Sequence, residues 1–78
     1  MRNVVYVVKD WCGMVFAFEK EEKARERYQK LIKKALDEQG MEVVKDEIST
    51  YDNDFSAQTT LRKEWSYWTI TLDYVVVE

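Results

Sequence analysis

Apolar residues recur every three or four positions across residues 19–39, the spacing of one amphipathic helix. The residues that share this spacing are Ala24, Tyr28, Leu31, Ile32, Ala35 and Leu36. Charged side chains fill the opposite face, and no proline interrupts the run. Gly40 follows directly and can adopt the left-handed conformation that commonly ends a helix. The pattern therefore predicts a helix over residues 19–39 with one buried face.

Alternation with a period of two marks three strands instead. Residues 3–9 and 14–18 are rich in β-branched and aromatic side chains, and the turn formers Asp10 and Gly13 lie between them. These two segments predict a hairpin. The longest alternation runs over residues 67–77, where large apolar side chains interleave with Tyr67 and with threonines. This segment is the strongest strand prediction in the chain.

Residues 41–65 follow neither pattern. Val43 and Val44 are the only adjacent apolar pair of residues 41–48, acidic residues surround them, and this segment can be a short strand or a loop. We expect an irregular acidic excursion at about 41–65, and the pattern leaves open whether residues 49–65 are helix, strand or loop. The predicted order is ββαβ or ββαββ in a single domain spanning residues 1–78. Such a chain forms an α+β fold, a small antiparallel sheet with one amphipathic helix packed on one face.

A single helix covers only one face of this sheet, so the other face also requires cover. The side chains predicted to lie on that second face are Val5, Val7, Val15 and Ala17. Two interpretations stand side by side. Either residues 49–65 fold across this face, or a second copy of the chain covers it in a homodimer.

Composition removes several classes of function. The chain has no His, which takes away the commonest general base and metal ligand together. No serine lies in a nucleophile motif, so we expect a protein that is not an enzyme and has no metal or cofactor. One cysteine excludes an internal disulfide, and no apolar run reaches the length of a membrane span. We therefore expect a cytoplasmic protein that does not bind a membrane.

The net charge of −3 conceals an uneven distribution. Residues 20–34 hold seven Lys or Arg against three Glu, a local balance of +4. Residues 37–54 hold seven Asp or Glu against one Lys, a local balance of −6. The molecule is therefore a dipole, and each charged region has two interpretations. A solvated surface is the favoured one, and a binding surface for an oppositely charged partner is the alternative.

Aromatic and acidic residues after the helix predict a protein-binding surface, because Trp and Tyr most often anchor interfaces. Its candidate residues are Trp65, Tyr67, Glu47, Asp52, Asp54 and Phe55. Tyr67 alternates with Trp68, so one of these two must point away from the helix. The alternative is a nucleic-acid site on the basic flank of the helix. That flank carries Lys23, Arg27, Lys30 and Lys34, but no aromatic residue is interleaved among them in the sequence, and nucleic acid is the less favoured partner.

Four short segments combine a V-Y-x-V hairpin and a Gly turn with a following phenylalanine and an E-K-A helix start. The segments are Val4-Val5-Tyr6-Val7-Val8, Asp10-Trp11 with Gly13, Val15-Phe16-Ala17-Phe18 and Glu21-Glu22-Lys23-Ala24. In these segments the chain resembles a group of small uncharacterised proteins of bacteria and their phages. Two departures from the group are the Glu19-Lys20 pair in place of a Ser or Thr helix cap and an apparent insertion at residues 40–65. The resemblance implies a phage-encoded accessory protein that binds and modulates a host protein in the bacterial cytoplasm. It implies no catalytic residue.

Overall fold

The computed structural model describes residues 3–51 and 54–77. Its elements in chain order are β1 (Asn3–Lys9), β2 (Val15–Phe18), α1 (Glu21–Gln39), β3 (Glu42–Tyr51), β4 (Asp54–Lys63) and β5 (Ser66–Val77). The five strands form one antiparallel sheet in the order β2-β1-β5-β4-β3. The predicted α+β class, a small antiparallel sheet with one helix on one face, is confirmed. The observed order ββαβββ has one strand more than the longer predicted order.

The turn between β1 and β2 is held by its own side chains, as the turn formers predicted. The Asp10 carboxylate accepts hydrogen bonds of 2.9 Å from the backbone N–H groups of Cys12 and Met14. Gly13 adopts a φ of 86°, a left-handed conformation that favours glycine. Strand β2 therefore begins at Val15, one residue later than predicted.

Helix α1 ends where the sequence predicted and begins two residues later. Gly40 has a φ of 67°, and the N–H of Met41 donates to the carbonyl of Ala35 at 3.2 Å. Lys20 lies before the first turn without a side-chain cap. The helix face toward the sheet buries Ala24, Tyr28, Leu31 and Ala35, whereas Leu36, which was predicted to share this face, is exposed.

Within this range the described residues Glu42–Tyr51 and Asp54–Lys63 form the paired strands β3 and β4, so the prediction of an irregular excursion at about 41–65 is wrong. Of the alternatives left open for residues 49–65, the strand is the one observed. Two local features hide the strands. The inward positions of β4 include Ala57 and Thr59, a small and a polar residue, so no apolar alternation is visible. In β3 the register shifts between Val43 and Lys45, and this bulge disrupts the period of two.

Because residues 49–51 and 54–63 are strands of the same sheet, they do not cross its second face. The prediction that residues 49–65 cover that face is therefore wrong. We call this surface, opposite α1, the open face. Within the described residues no other element lies over it.

β5 is the central strand of the sheet. It pairs along β1 on one side, from Asn3 opposite Val77 to Lys9 opposite Thr71, and along β4 on the other. The buried core lies between this part of the sheet and α1. Its members are Tyr6, Val8, Ala24, Tyr28, Leu31, Ala35, Met41, Ala57, Leu61, Ile70 and Leu72.

The molecule measures 46 × 19 × 18 Å, and its long axis reflects the long strands β3, β4 and β5. In the described part of the chain, no helix combines the length and the apolar character that crossing a bilayer would require.

Candidate functional site

The most exposed aromatic side chain of the described structure lies at the turn between β4 and β5. Lys63 and Ser66 form the last pair of this hairpin, so Glu64 and Trp65 alone make the connection. The Trp65 side chain is 94% exposed. Glu64 has a φ of 55°, a left-handed conformation that non-glycine residues other than Asn and Asp seldom adopt. The turn thus holds an unusual backbone conformation beside a fully presented Trp, and we call Glu64 and Trp65 the hairpin tip.

Tyr67 follows the hairpin tip and lies on the open face, 63% exposed and directly opposite Arg62. This outcome confirms that one member of the Tyr67 and Trp68 pair points away from the helix. Arg62 donates from Nη2 to the Glu42 carboxylate at 2.6 Å. The hydrogen bond to Glu42 raises the pKa of Arg62, and Tyr67 contributes in the same direction. Arg62 therefore stays cationic and ties β4 to β3 behind the tip.

Trp68 faces the helix side and supports the base of the same hairpin. Its ring stacks on Trp11 with centroids 4.4 Å apart and planes 11° apart. Trp11 comes from the turn after β1, which lies at the same end of the sheet as the hairpin tip. Two rigid aromatic rings thus hold this end of the sheet, while Trp65 remains outside the packing.

The other residues of the predicted protein-binding surface lie elsewhere. Phe55 is half-buried on the helix face near the start of β4, under the Arg25 guanidinium, which lies 3.8 Å from the ring centroid. Ten residues of β4 span about 34 Å, so Phe55 lies more than ~20 Å from the hairpin tip. Glu47 is exposed in β3 and pairs with Lys45 at 3.1 Å.

The two remaining predicted acids were Asp52 and Asp54. Asp52 lies outside the described residues, and Asp54 opens β4 opposite Tyr51. The structure therefore brings Trp65 and Tyr67 to one end of the sheet but does not join Phe55 and Glu47 to them.

The predicted second-face residues do share the open face. Val7 lies opposite Ala17 in the ladder between β1 and β2. Val5 is two residues from Val7 and Val15 is two residues from Ala17, so all four side chains lie on the same face of the sheet. Val5 and Val7 are half-buried by their neighbours, whereas Val15 is 56% exposed. Toward β4 and β3 the same face becomes polar. A shallow groove there is lined by Glu47, Ser49, Ser56, Ala57, Gln58, Thr71 and Asp73.

The predicted basic residues follow the flank of α1 that faces β2. The Arg27 guanidinium lies 4.7 Å from the centre of the Phe16 ring. Lys23, Arg27 and Lys30 line a depression of about 110 Å³ together with Phe18 and Glu26. Lys34 continues along the helix and borders a neighbouring depression with Lys30. We call this surface the basic flank.

The presence of aromatic residues in the basic flank was not predicted from the sequence. Phe16 and Phe18 lie in β2, distant along the chain from Lys30, and the fold places them beside the helix. The signal was present, since the alternation in residues 14–18 already directed both rings toward the helix. The sequence pattern did not show which flank of α1 would lie next to β2.

A chain of polar side chains links α1 to the β3–β4 hairpin, and two of its three members, Tyr28 and Thr59, are buried whereas Asp46 is exposed. The hydroxyl of Tyr28 hydrogen-bonds to that of Thr59, and Thr59 donates to the Asp46 carboxylate at 3.0 Å. A hydroxyl has one proton, and because Thr59 gives its own to Asp46, Tyr28 must be the donor to Thr59. Burial raises the pKa of Tyr28, and the nearby charge of Asp46 adds to the rise. Tyr28 therefore stays protonated at neutral pH and holds the helix in place.

In the part of the chain that the structure describes, no three aspartate, glutamate or cysteine side chains lie close enough together to hold one metal ion. Comparison of the chain with protein-family models, with curated proteins and with solved structures finds no match.

Proposed function

We propose that this chain is a non-catalytic binding module that recognises another protein through the hairpin tip. The observation that carries the proposal is the 94% exposure of Trp65 in a turn whose preceding residue, Glu64, has a φ of 55°. Backbone conformations of this kind persist only where the surrounding structure or a function maintains them. Tyr67, also exposed, extends the aromatic surface onto the open face.

Trp65 can gain a large buried apolar area on binding. A Trp side chain buries about 200 Å² when it is fully enclosed, which corresponds to about 5 kcal/mol of apolar transfer free energy. Almost all of that area is still available in the free protein. A two-residue connection also holds the Trp backbone with little freedom to lose. Trp65 therefore has the properties of an interface anchor that inserts into an apolar pocket of a partner.

The resemblance to small bacterial and phage proteins supports a finer proposal. In it, the chain is a phage-encoded accessory protein, and the partner is a host protein whose activity it modulates in the bacterial cytoplasm. Glu64 lies in the hairpin tip itself, and its charge favours a partner with a cationic rim around its pocket.

The test compares capture of partner proteins from a bacterial lysate by the wild-type chain, Trp65→Ala and Ile48→Ala. Ile48 is a matched control, because it is 67% exposed but lies on β3 opposite Ala57, far from the tip. We expect the wild-type chain and Ile48→Ala to retain the same protein and Trp65→Ala to lose it. Unfolding in urea should give equal free energies for the three chains within about 0.5 kcal/mol.

Equal capture by Trp65→Ala would remove the hairpin tip from the binding surface. A loss of stability greater than about 1 kcal/mol in Trp65→Ala would show instead that the side chain packs in the fold. Trp65→Phe adds a graded readout, since a smaller ring that still enters the pocket should retain part of the affinity.

The open face supports a second candidate, a homodimer in which two copies cover each other. Val15, Val75 and Val77 are each about half-exposed on one half of this face. Light scattering at several concentrations tests the idea. A mass of two chains that falls to one chain in Val15→Lys would support the dimer, and a constant mass of one chain would refute it.

A further inference from the structure

β2 is an edge strand, and the basic flank of α1 stands beside it. In the described chain β2 pairs with β1 on one side, and no strand pairs with its outer side. An outer edge of this kind presents backbone N–H and C=O groups to any extended segment that approaches. Strand addition at such an edge is a recurring mode of peptide recognition.

The helix and the strand run alongside each other with matching repeats. Arg27 lies over Phe16, and Lys23 borders the depression that contains Phe18. Two residues of a strand cover about 6.8 Å, and four residues of a helix cover about 6 Å. Alternate side chains of a strand added beside β2 would therefore meet Lys23 and Arg27 in turn, and Lys30 follows about 4.5 Å further along the helix.

We propose that the outer edge of β2 is a binding site for an acidic, extended segment of a partner protein. The segment pairs with β2 through its backbone, and its alternate Asp or Glu side chains reach Lys23, Arg27 and Lys30. Charge complementarity identifies this occupant, because residues 20–34 carry a balance of +4. The site is separate from the hairpin tip and does not depend on it.

Two side chains of the basic flank, Lys30 and Arg27, already have partners within the protein. Glu26 pairs with Lys30 at 3.4 Å, and both side chains are exposed, so a partner carboxylate can replace Glu26. Arg27 already covers one face of Phe16, so this ring is not free to stack on a nucleic-acid base. The unpaired backbone of β2 also matches a peptide, whereas nucleic acid has no use for it. Both points favour an acidic peptide over nucleic acid.

The probe is a synthetic peptide of alternating Glu and Thr, about eight residues long so that it spans β2 and the adjoining residues. Its affinity for the full chain is measured by fluorescence anisotropy at low salt, and its position by amide chemical shifts. We expect shifts at Val15–Phe18 and a loss of affinity as salt is raised. The double variant Lys23→Ala with Lys30→Ala should weaken binding about tenfold, since each exposed pair contributes a few-fold.

Three controls test separately the position of the charge, the independence from the hairpin tip and the need for backbone pairing. Lys45→Ala removes the same charge from an exposed position on β3, at the opposite edge of the sheet, and it should change affinity less than about twofold. Trp65→Ala should leave peptide affinity unchanged, which separates this site from the proposed function. The same peptide with N-methyl groups on alternate residues keeps every carboxylate but cannot form the backbone ladder, so it should not bind.

Four results would overturn the proposal. They are no binding at low salt, equal binding of the N-methylated peptide, tighter binding of an oligothymidine than of the peptide, and salt-sensitive polymerisation of the chain itself through the edge of β2. The second would reduce the interaction to unspecific attraction. The third would assign the flank to nucleic acid, and the fourth would assign the edge to a second copy.

Discussion

Replacing Thr59 by Val removes the middle hydroxyl of the chain from Tyr28 to Asp46 while nearly preserving side-chain shape. Thr59 is 1% exposed and Tyr28 is 4% exposed, so water cannot substitute for the lost group. Tyr28 would keep a buried hydroxyl donor without its acceptor, and an unsatisfied buried polar group costs about 1–3 kcal/mol. We expect Thr59→Val to lower the free energy of unfolding by about 2 kcal/mol.

Tyr28→Phe removes the donor instead and leaves Thr59 bonded to Asp46. This variant should cost only about 1 kcal/mol, because no buried group is left without a partner. In the double variant the stranded hydroxyl is absent, so the combined cost should be about 1.5 kcal/mol rather than the sum of about 3. The coupling of about 1.5 kcal/mol is within the range for residues in direct contact.

Urea unfolding followed by tryptophan fluorescence and far-UV circular dichroism measures all four chains. A domain of this size retains roughly 3–5 kcal/mol, so Thr59→Val should lose about half of its stability and about 8–16 °C in Tm. The slope of free energy against urea should stay constant. Additive costs in the double variant, or a cost below about 0.5 kcal/mol for Thr59→Val, would refute the directional chain from Tyr28 to Asp46.

Three further outcomes follow from single positions. The folded-state pKa of Tyr28 is raised above the unfolded value of about 10, so its contribution to stability is complete below pH 10 and is lost as pH rises toward the folded pKa. The free energy of unfolding of Tyr28→Phe should therefore depend less steeply on pH above about pH 10 than that of the wild-type chain. An equal slope in the two chains would contradict the burial of Tyr28. Glu64→Gly should raise the unfolding free energy by about 0.5–1 kcal/mol in a urea titration, since glycine adopts a φ of 55° without strain, and a decrease would show that the Glu side chain holds the turn. Gly40→Ala should cost about 1 kcal/mol by the same measurement, because a Cβ there meets only ordinary contact with Lys63 and the penalty comes from the φ of 67°; no loss would mean that the helix end is not held in that conformation.

Elements with complete local signals were predictable from the sequence. The end of α1 required only a helical stripe followed by Gly40, and β5 required only a long alternation through residues 67–77. The first hairpin followed from Asp10 and Gly13, whose turn chemistry acts over four residues. In each case the determining interactions are close in sequence, so a pattern reading captures them.

The β3–β4 hairpin was not predictable in this way, because its inward positions depend on partners distant in sequence. Thr59 occupies a core position only because Tyr28 and Asp46 satisfy its hydroxyl. The bulge between Val43 and Lys45 shifts the alternation within β3, and no turn-forming residue in that segment predicts it. Tertiary hydrogen bonding and register, rather than local preference, decide these strands.

The surfaces divide along the same line. Alternation alone predicted that Tyr67 or Trp68 would face away from the helix, and the exposed face of Tyr67 confirms it. The neighbourhood of Arg27 and Phe16 depends on which edge of the sheet lies beside the helix flank. That choice is made by the pairing of β1 with β5, and it has no counterpart in the spacing of residues.

The central position of β5 determines when the sheet can form during synthesis. β1, β2 and α1 are synthesised first, and β3 and β4 follow. β1 and β4 do not pair with each other, and only β5 joins them, by pairing with both. A nascent chain lacking β5 therefore consists of two separate hairpins joined by a helix, each exposing its inward side chains. Long-range pairing of this kind also slows folding, since β1 must close a loop of more than 50 residues to meet its partner. A released chain truncated before Ser66 should accordingly bind chaperones that the full chain does not need.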